Sequence, residues 1–292
     1  MTGSACAIGW KAHAALARSA GRWTALPGFA GSAYRSAAGE PIWIGEGTVA
    51  MHPRAVVFQR HSRRDDALRT EKIIPWRLAP LRFDRDAVLA LRAGCLALAT
   101  NIHPVGAAQG FAVLFTGELP AFPLHQVASQ VAALADAIDG ENVESAFAAA
   151  LPLLGLGPGL TPSGDDFVGA VLYALRLRAM SDTWAAISRR LVDAASTRTH
   201  AIGVALFRDL AEGQSFAALH RLAAALAAGP PAQPAERLDG LPVRAAAREV
   251  TAIGHSSGWD MLAGFIIGCA GSAALSMHGP RVIGGICKEA RT

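Results

Sequence analysis

A chain of 292 residues, 52% hydrophobic and only 17% charged, is long enough to bury a substantial core and too apolar to be disordered. Its net charge of +4 rests mostly on arginine and gathers into no long basic tract. That pattern excludes a nucleic-acid-binding surface and favours small carboxylates or phosphates, which guanidinium forks recognise. A mean hydropathy of +0.29 with so few charges implies that a protein partner covers part of the surface.

In chain order, Met1 to Cys6 lacks the basic-then-apolar order of a signal peptide. Cys6, Cys95, Cys269 and Cys287 form no C-x-x-C pair and no zinc spacing with His, so a reducing, cytoplasmic setting is expected. Short β-leaning runs at Pro41–Ile44, Ala55–Phe58 and Gly110–Phe115 are punctuated by Gly and Pro, and Arg60 to Asp66 reads as a solvated loop. Leu89 to Thr100 fits a buried strand or a helix. Leu119-Pro120-Ala121-Phe122-Pro123 reads as a linker.

Beyond it the sequence turns to Ala/Leu-rich stretches with helical spacing, at about 125–150, 164–180, 182–198, 200–212, 215–228, 242–252 and 258–277, with a loop at 229–234. The expected fold is therefore α+β: a β-rich half over residues 1–124 and a mainly helical domain over 125–292. Residues 261–277 carry no charge but are short for a membrane span and rich in Gly, Ala and Ser, so a helix buried in protein is expected and no membrane association.

The chemistry concentrates in Gly155-Leu-Gly-Pro-Gly-Leu-Thr-Pro-Ser-Gly-Asp-Asp166, just before one of the helical runs. Glycines at Gly155, Gly157 and Gly159 let backbone approach a ligand, and a helix start offers unpaired N–H groups to an anion. Thr161, Ser163 and Asp166 also fit an ordinary capped helix start, with Ser163 as N-cap and Asp166 at N3. Capping does not account for the alternate glycines or for the second carboxylate, Asp165. A second segment repeats the pattern. Ser257-Gly258-Trp259-Asp260, preceded by Gly254, His255 and Ser256, matches Ser163-Gly164-Asp165-Asp166 at a distance of 94 residues (257 minus 163). Two such corners could face one ligand; two coincidental capping boxes are the alternative.

These two segments resemble the family of bacterial proteins that includes the smallest component of oxamate carbamoyltransferase, specifically over about residues 150–178 and 250–270. The resemblance implies a subunit that works with two larger chains, one of them similar to an acyl-CoA synthetase subunit, in exchanging a carbamoyl group between oxamate or oxalurate and phosphate during allantoin degradation. On that reading Asp165, Asp166, His255 and Asp260 are the candidate catalytic groups. Gly157, Gly159, Thr161, Ser163, Gly164, Arg198, Ser256, Ser257 and Gly258 are the candidate substrate contacts. Carbamoyl transfer passes through a tetrahedral centre whose oxygen gains charge, so preorganised backbone donors and correct placement of two small anions would dominate. No residue is an obvious covalent nucleophile.

Arg198 lies in Thr197–His200 between two predicted helices, where it could neutralise a carboxylate or phosphate while His200 exchanges a proton. His52 and His103 have no partner legible in sequence. The chain has no G-x-x-x-x-G-K-[ST] loop and no dinucleotide fingerprint, so neither ATP nor NAD chemistry is supported. No cofactor is firmly implied; Mg2+ held by Asp165 and Asp166 is the one metal option. Two rival readings stand beside carbamoyl transfer: a non-catalytic anion-binding or assembly subunit, and a stand-alone metal-dependent amide hydrolase.

Overall fold

A computed structural model describes residues 5–26, 33–46, 50–58, 73–178, 181–229 and 241–276. The expected loops at 60–66 and 229–234 lie wholly or largely outside those residues, as do Cys287 and the last residue of the run 258–277. Two compact units emerge: residues 1–80 with Gln214–Ala217, and residues 81–213 with 218–292.

The first unit is a five-stranded mixed sheet with a helix. Its strands are β1 (Ala5–Ile8), β2 (Trp23–Ala25), β3 (Ala33–Ser36), β4 (Pro41–Glu46) and β5 (Ala55–Phe58), ordered β1-β5-β4-β3-β2. In this order β4 and β5 pair parallel and the other neighbouring strands antiparallel. Alternation in β4 sends Ile42 and Ile44 inward while Trp43, between them, stays half-buried. The all-apolar β5, held between two strands, is buried along its length. Helix α1 (Trp10–Ala17) contributes Ala12, Ala15 and Leu16 to the same core. Gln214–Ala217 joins this unit through the Ala217 N–H bond to the Met51 carbonyl, 2.9 Å, and the Trp10 indole bond to Gln214, 3.3 Å.

The second unit is helical. It begins with α2 (Arg85–Thr100), capped by Asp84, whose carboxylate accepts the Ala87 N–H at 2.9 Å. Residues 81–124, read from the sequence with the β-rich half, thus belong with the helices. Gly110–Phe115, expected as a strand, is a 3-10 helix spanning Gly110–Thr116. The reason is a side chain from far along the chain: the Phe111 N–H donates to Oδ1 of Asp260 at 2.8 Å, and the Phe111 ring packs on Phe167. An apolar run of six residues cannot announce such a contact. Leu119 to Pro123, expected to join two domains, lies inside this unit.

The expected helix over 125–150 is two helices, α3 (Ala128–Asp139) and α4 (Val143–Ala150). Gly140 ends the first, and Asn142 caps the second by accepting the Ser145 N–H. There follow α5 (Ser163–Leu177), α6 (Asp182–Arg198), α7 (Ala201–Ala211), α8 (Ala217–Ala227), α9 (Leu241–Thr251), α10 (Ser257–Ala270) and the short α11 (Ala273–Ser276).

Helices α5 and α10 form the centre of the unit, buried around nearly their whole circumference. Gly264 leaves no room for a Cβ against the Phe167 carbonyl, and a Cβ on Gly268 would lie 2.8 Å from the carbonyl oxygen of Val171. Both contacts advance by four residues in the same sense, so the two helices run parallel with their N-termini side by side. Among the described residues no helix is long and apolar enough to cross a membrane; the uncharged stretch from Met261 is buried in protein instead.

Candidate functional site

Because α5 and α10 are parallel and in close contact, the two Ser-Gly-x-Asp corners meet. Neither corner is a capping box. The N-caps are Pro162 and Ser256, and neither side chain makes a capping bond. Ser163 and Ser257 therefore occupy N1, and Asp166 and Asp260 occupy N4, one residue later than capping requires. Freed from that duty, the side chains turn across the helix pair. Asp166 faces the hydroxyls of Thr161 and Ser257, and Asp260 faces those of Ser163 and Ser256. Each acid thus meets the serine of the opposite corner. The Thr161 hydroxyl donates to Oδ2 of Asp166 at 2.8 Å and lies 2.9 Å from the Ser257 hydroxyl, closing the junction.

Glycine is required at several points here. Gly164 and Gly258, both at N2, rest against the carbonyls of Leu153 and Val250 with no space for a side chain. Gly157 and Gly159 have φ of +110° and +106°, a region that L side chains rarely adopt. A Cβ on Gly157 would also sit 2.9 Å from the Ser163 nitrogen.

The loop from Gly157 to Thr161 is the open face of the site. Among the described residues, the backbone N–H groups of Gly157, Gly159, Leu160 and Thr161 have no hydrogen-bond partner. Successive unpaired amides beside two helix N-termini make an anion-binding concavity. Two amides expected to serve as ligand donors are engaged internally: the Gly164 N–H donates to the Leu156 carbonyl and the Gly258 N–H to the Ile253 carbonyl, both at 2.9 Å.

Beneath the loop lie three carboxylates, all buried. Burial pushes Asp166 well above the usual carboxylate range, and the neighbouring Asp260 pushes it further, against the opposing pull of the Thr161 and Ser257 hydroxyls. Burial likewise raises Asp260 to about 7, partly offset by the Phe111 N–H and by Ser163 and Ser256. Asp165 is raised by burial, with Thr199, the Gly155 N–H and His200 pulling the other way. Among the described residues, Oδ2 of Asp260 completes no hydrogen bond of ordinary geometry. The pair Asp166 and Asp260 therefore favours holding a proton near neutral pH, which limits the negative charge under an incoming anion.

The adjacent acids Asp165 and Asp166 do not converge. Asp165 accepts the Gly155 N–H at 2.8 Å and lies by Thr199, on the side of α5 away from Ser257. Among the described residues no group of three His, Cys, Asp or Glu is gathered closely enough to hold a metal ion.

The structure brings together Gly157, Gly159, Thr161, Ser163, Gly164, Asp166, Ser256, Ser257, Gly258 and Asp260. Two candidates stay at the edge. The Arg198 side chain is exposed and makes no ion pair among the described residues; only its carbonyl takes part, packed against Gly155. His255 is exposed in the turn before α10. Sequence reasoning missed the Phe111 amide, the carbonyls of Leu153 and Val250, and Thr199. A groove of about 360 Å3 elsewhere in the unit, with Arg176, Ser188, Arg189 and Arg208 in its lining, contains none of the site residues. Arg176 and Arg208 stand in the last turns of α5 and α7, where a cation offsets the helix dipole.

In a comparison with known proteins, residues 153–269 match the family described as oxamate carbamoyltransferase subunit AllH. No curated protein and no solved structure matches the chain. The matched span opens at Leu153, the carbonyl under Gly164, and closes at Cys269 near the end of α10, so both corners fall within it.

Proposed function

We propose that the chain, which over residues 153–269 matches the family described as oxamate carbamoyltransferase subunit AllH, is a subunit of a carbamoyltransferase acting on a small amide or ureido carboxylate such as oxamate, with carbamoyl phosphate as the partner substrate, in the nitrogen catabolism of allantoin and purines. The observation that carries the proposal is the meeting of the two Ser-Gly-x-Asp corners under a loop of unpaired amides. A carbamoyl group needs both halves of that arrangement. Its oxygen, and the oxygens of phosphate or carboxylate, require donors, which the amides of Gly157 to Thr161 supply. Its N–H groups require acceptors, which the oxygens of Thr161, Ser257 and the Asp166 carboxyl group supply.

The chemistry asked of these residues is mostly orientation. Phosphate oxygen and amide nitrogen exchange places on one carbonyl carbon, and the carbonyl oxygen carries the charge in between. Amides already pointing outward, without reorganising, favour that charge over water. Asp165, Asp166 and Asp260 shape the floor, Arg198 and His255 form the rim from which larger substrates are steered, and the remaining machinery comes from the larger subunits of the complex. The reading requires no cofactor; Mg2+ enters only as a counterion of the substrates.

Isothermal titration of the full chain with carbamoyl phosphate, with oxamate, and with each in the presence of Mg2+ tests the proposal. Carbamoyl phosphate or oxamate binds the wild-type chain without metal, and Asp166→Asn weakens that binding. A chain that binds neither anion is an assembly subunit, and one that binds only with Mg2+ and releases ammonia alone is a hydrolase; either outcome removes the proposal.

A further inference from the structure

The Gly-rich loop is not held by its own helix alone. From the other side it rests on the turn between α6 and α7, and four observations fix that contact. Gly155, with φ +77°, packs against the Arg198 carbonyl with no room for a Cβ. The Gly155 N–H donates to Asp165, which itself lies beside Thr199. Gly203, in the first turn of α7, is closed in by both: a Cβ there would lie 2.6 Å from the Thr199 hydroxyl and 2.8 Å from Oδ2 of Asp165. Finally, His200 faces two ways. Its Nδ1 accepts the Gly203 N–H at 3.3 Å, which caps α7, and its Nε2 lies 3.3 Å from the carbonyl oxygen of Gly159.

An Nδ1 that accepts leaves the ring proton on Nε2, so the second contact is an N–H donated to Gly159. The two contacts serve different ends. The first satisfies a helix terminus and belongs to stability. The second grips the loop at the middle of its four unpaired amides, two residues from Gly157 and two from Thr161. Nothing in the capping of α7 requires an atom reaching across to that carbonyl.

We infer that His200 is a positioning residue: its Nε2–H holds the Gly159 carbonyl so that the amides of Gly157 to Thr161 face the ligand, and the α6–α7 turn with Asp165 and Thr199 is the strut behind it. This role rests on the proposed site being the anion site. Its structural content, the tether itself, does not depend on which anion binds.

Two substitutions separate the tether from the cap. Asn is among the best N-caps but is too short to reach Gly159; Gln reaches with an amide N–H but caps poorly. His200→Asn is expected to melt within about 2 °C of wild type, to be cut by thermolysin at the Gly159–Leu160 bond several-fold faster, and to bind carbamoyl phosphate about tenfold more weakly, the scale of effect that small misplacement of a binding group produces. His200→Gln is expected to melt lower than wild type and yet to keep wild-type cleavage and affinity. If His200→Asn resists cleavage as wild type does, the tether is absent and the inference falls. If wild type binds no carbamoyl phosphate, the site assignment fails, and the cleavage rates still decide the tether. Faster cleavage of His200→Asn with unchanged affinity keeps the tether but overturns the positioning role.

Discussion

Replacing Asp260 by Asn is expected to flatten the pH dependence of stability. The native Asp260 carboxyl is pushed up to about 7 by burial, whereas an unfolded aspartate titrates near 3.9. Between those values the folded chain holds a proton that the unfolded chain has lost, so stability falls as pH rises, by about 1.4 kcal/mol per unit for one such group, and levels off above the native value. The stabilisation of the protonated form is thus complete below about pH 4 and lost as pH passes 7. Asn has no proton to release, keeps an oxygen for the Phe111 N–H, and removes the repulsion between Asp260 and Asp166. Measured by urea unfolding, Asp260→Asn should gain about 2–4 kcal/mol on wild type between pH 5 and pH 8. A residual slope remains, because Asp165 and Asp166 are raised in the same direction. Identical slopes in wild type and variant would mean that the Asp260 carboxyl keeps its ordinary acidity.

The second large effect concerns the loop. Gly157→Ala places a Cβ in a φ region that costs an L residue about 1–3 kcal/mol and drives it against the nitrogen and side chain of Ser163. The loop relieves the strain by rotating its amides, so the ligand loses its donors before the fold loses its core. Carbamoyl phosphate or oxamate affinity in calorimetry should drop by about 100-fold, the loss expected from displaced oxyanion donors. The melting temperature should fall only a few degrees, since the core of α5 and α10 is untouched. Equal loss of stability and binding would point to a structural glycine rather than a ligand-facing one.

Much of the α+β layout was legible because periodicity distinguishes the short β-rich runs at Pro41–Ile44 and Ala55–Phe58 from the long Ala/Leu segments after 125. What it could not distinguish was an apolar run whose conformation is set from outside. Gly110–Phe115 reads as a strand until Asp260, 149 residues away from Phe111, takes its amide. The break in the helix over 125–150 was visible in Gly140 and Asn142 but was overridden by the apolar pattern around them.

The candidate site shows the same division. Two copies of Ser-Gly-x-Asp marked the corners, and alternate glycines marked the loop. The capping-box interpretation of those serines and acids was wrong, because Pro162 and Ser256 hold the cap positions and shift each Ser and Asp one step into the helix. That single step turns local capping into contact between segments 94 residues apart (257 minus 163). The pairing is encoded at a distance by Gly264 and Gly268, which allow α5 and α10 to run side by side. The carbonyl partners of Gly164 and Gly258, and the reach of His200 to Gly159, depend on backbone proximity and leave no mark in residue type.

The central claim is that two distant corners form one ligand site. Glycine-selective 15N labelling of the full chain, titrated with carbamoyl phosphate and then oxamate, tests it most directly. The account predicts that Gly157 and Gly159 on one corner and Gly254 and Gly258 on the other shift together along a single binding curve, while Gly94 in α2 stays still. Movement confined to one corner, or separate curves for the two, would contradict it.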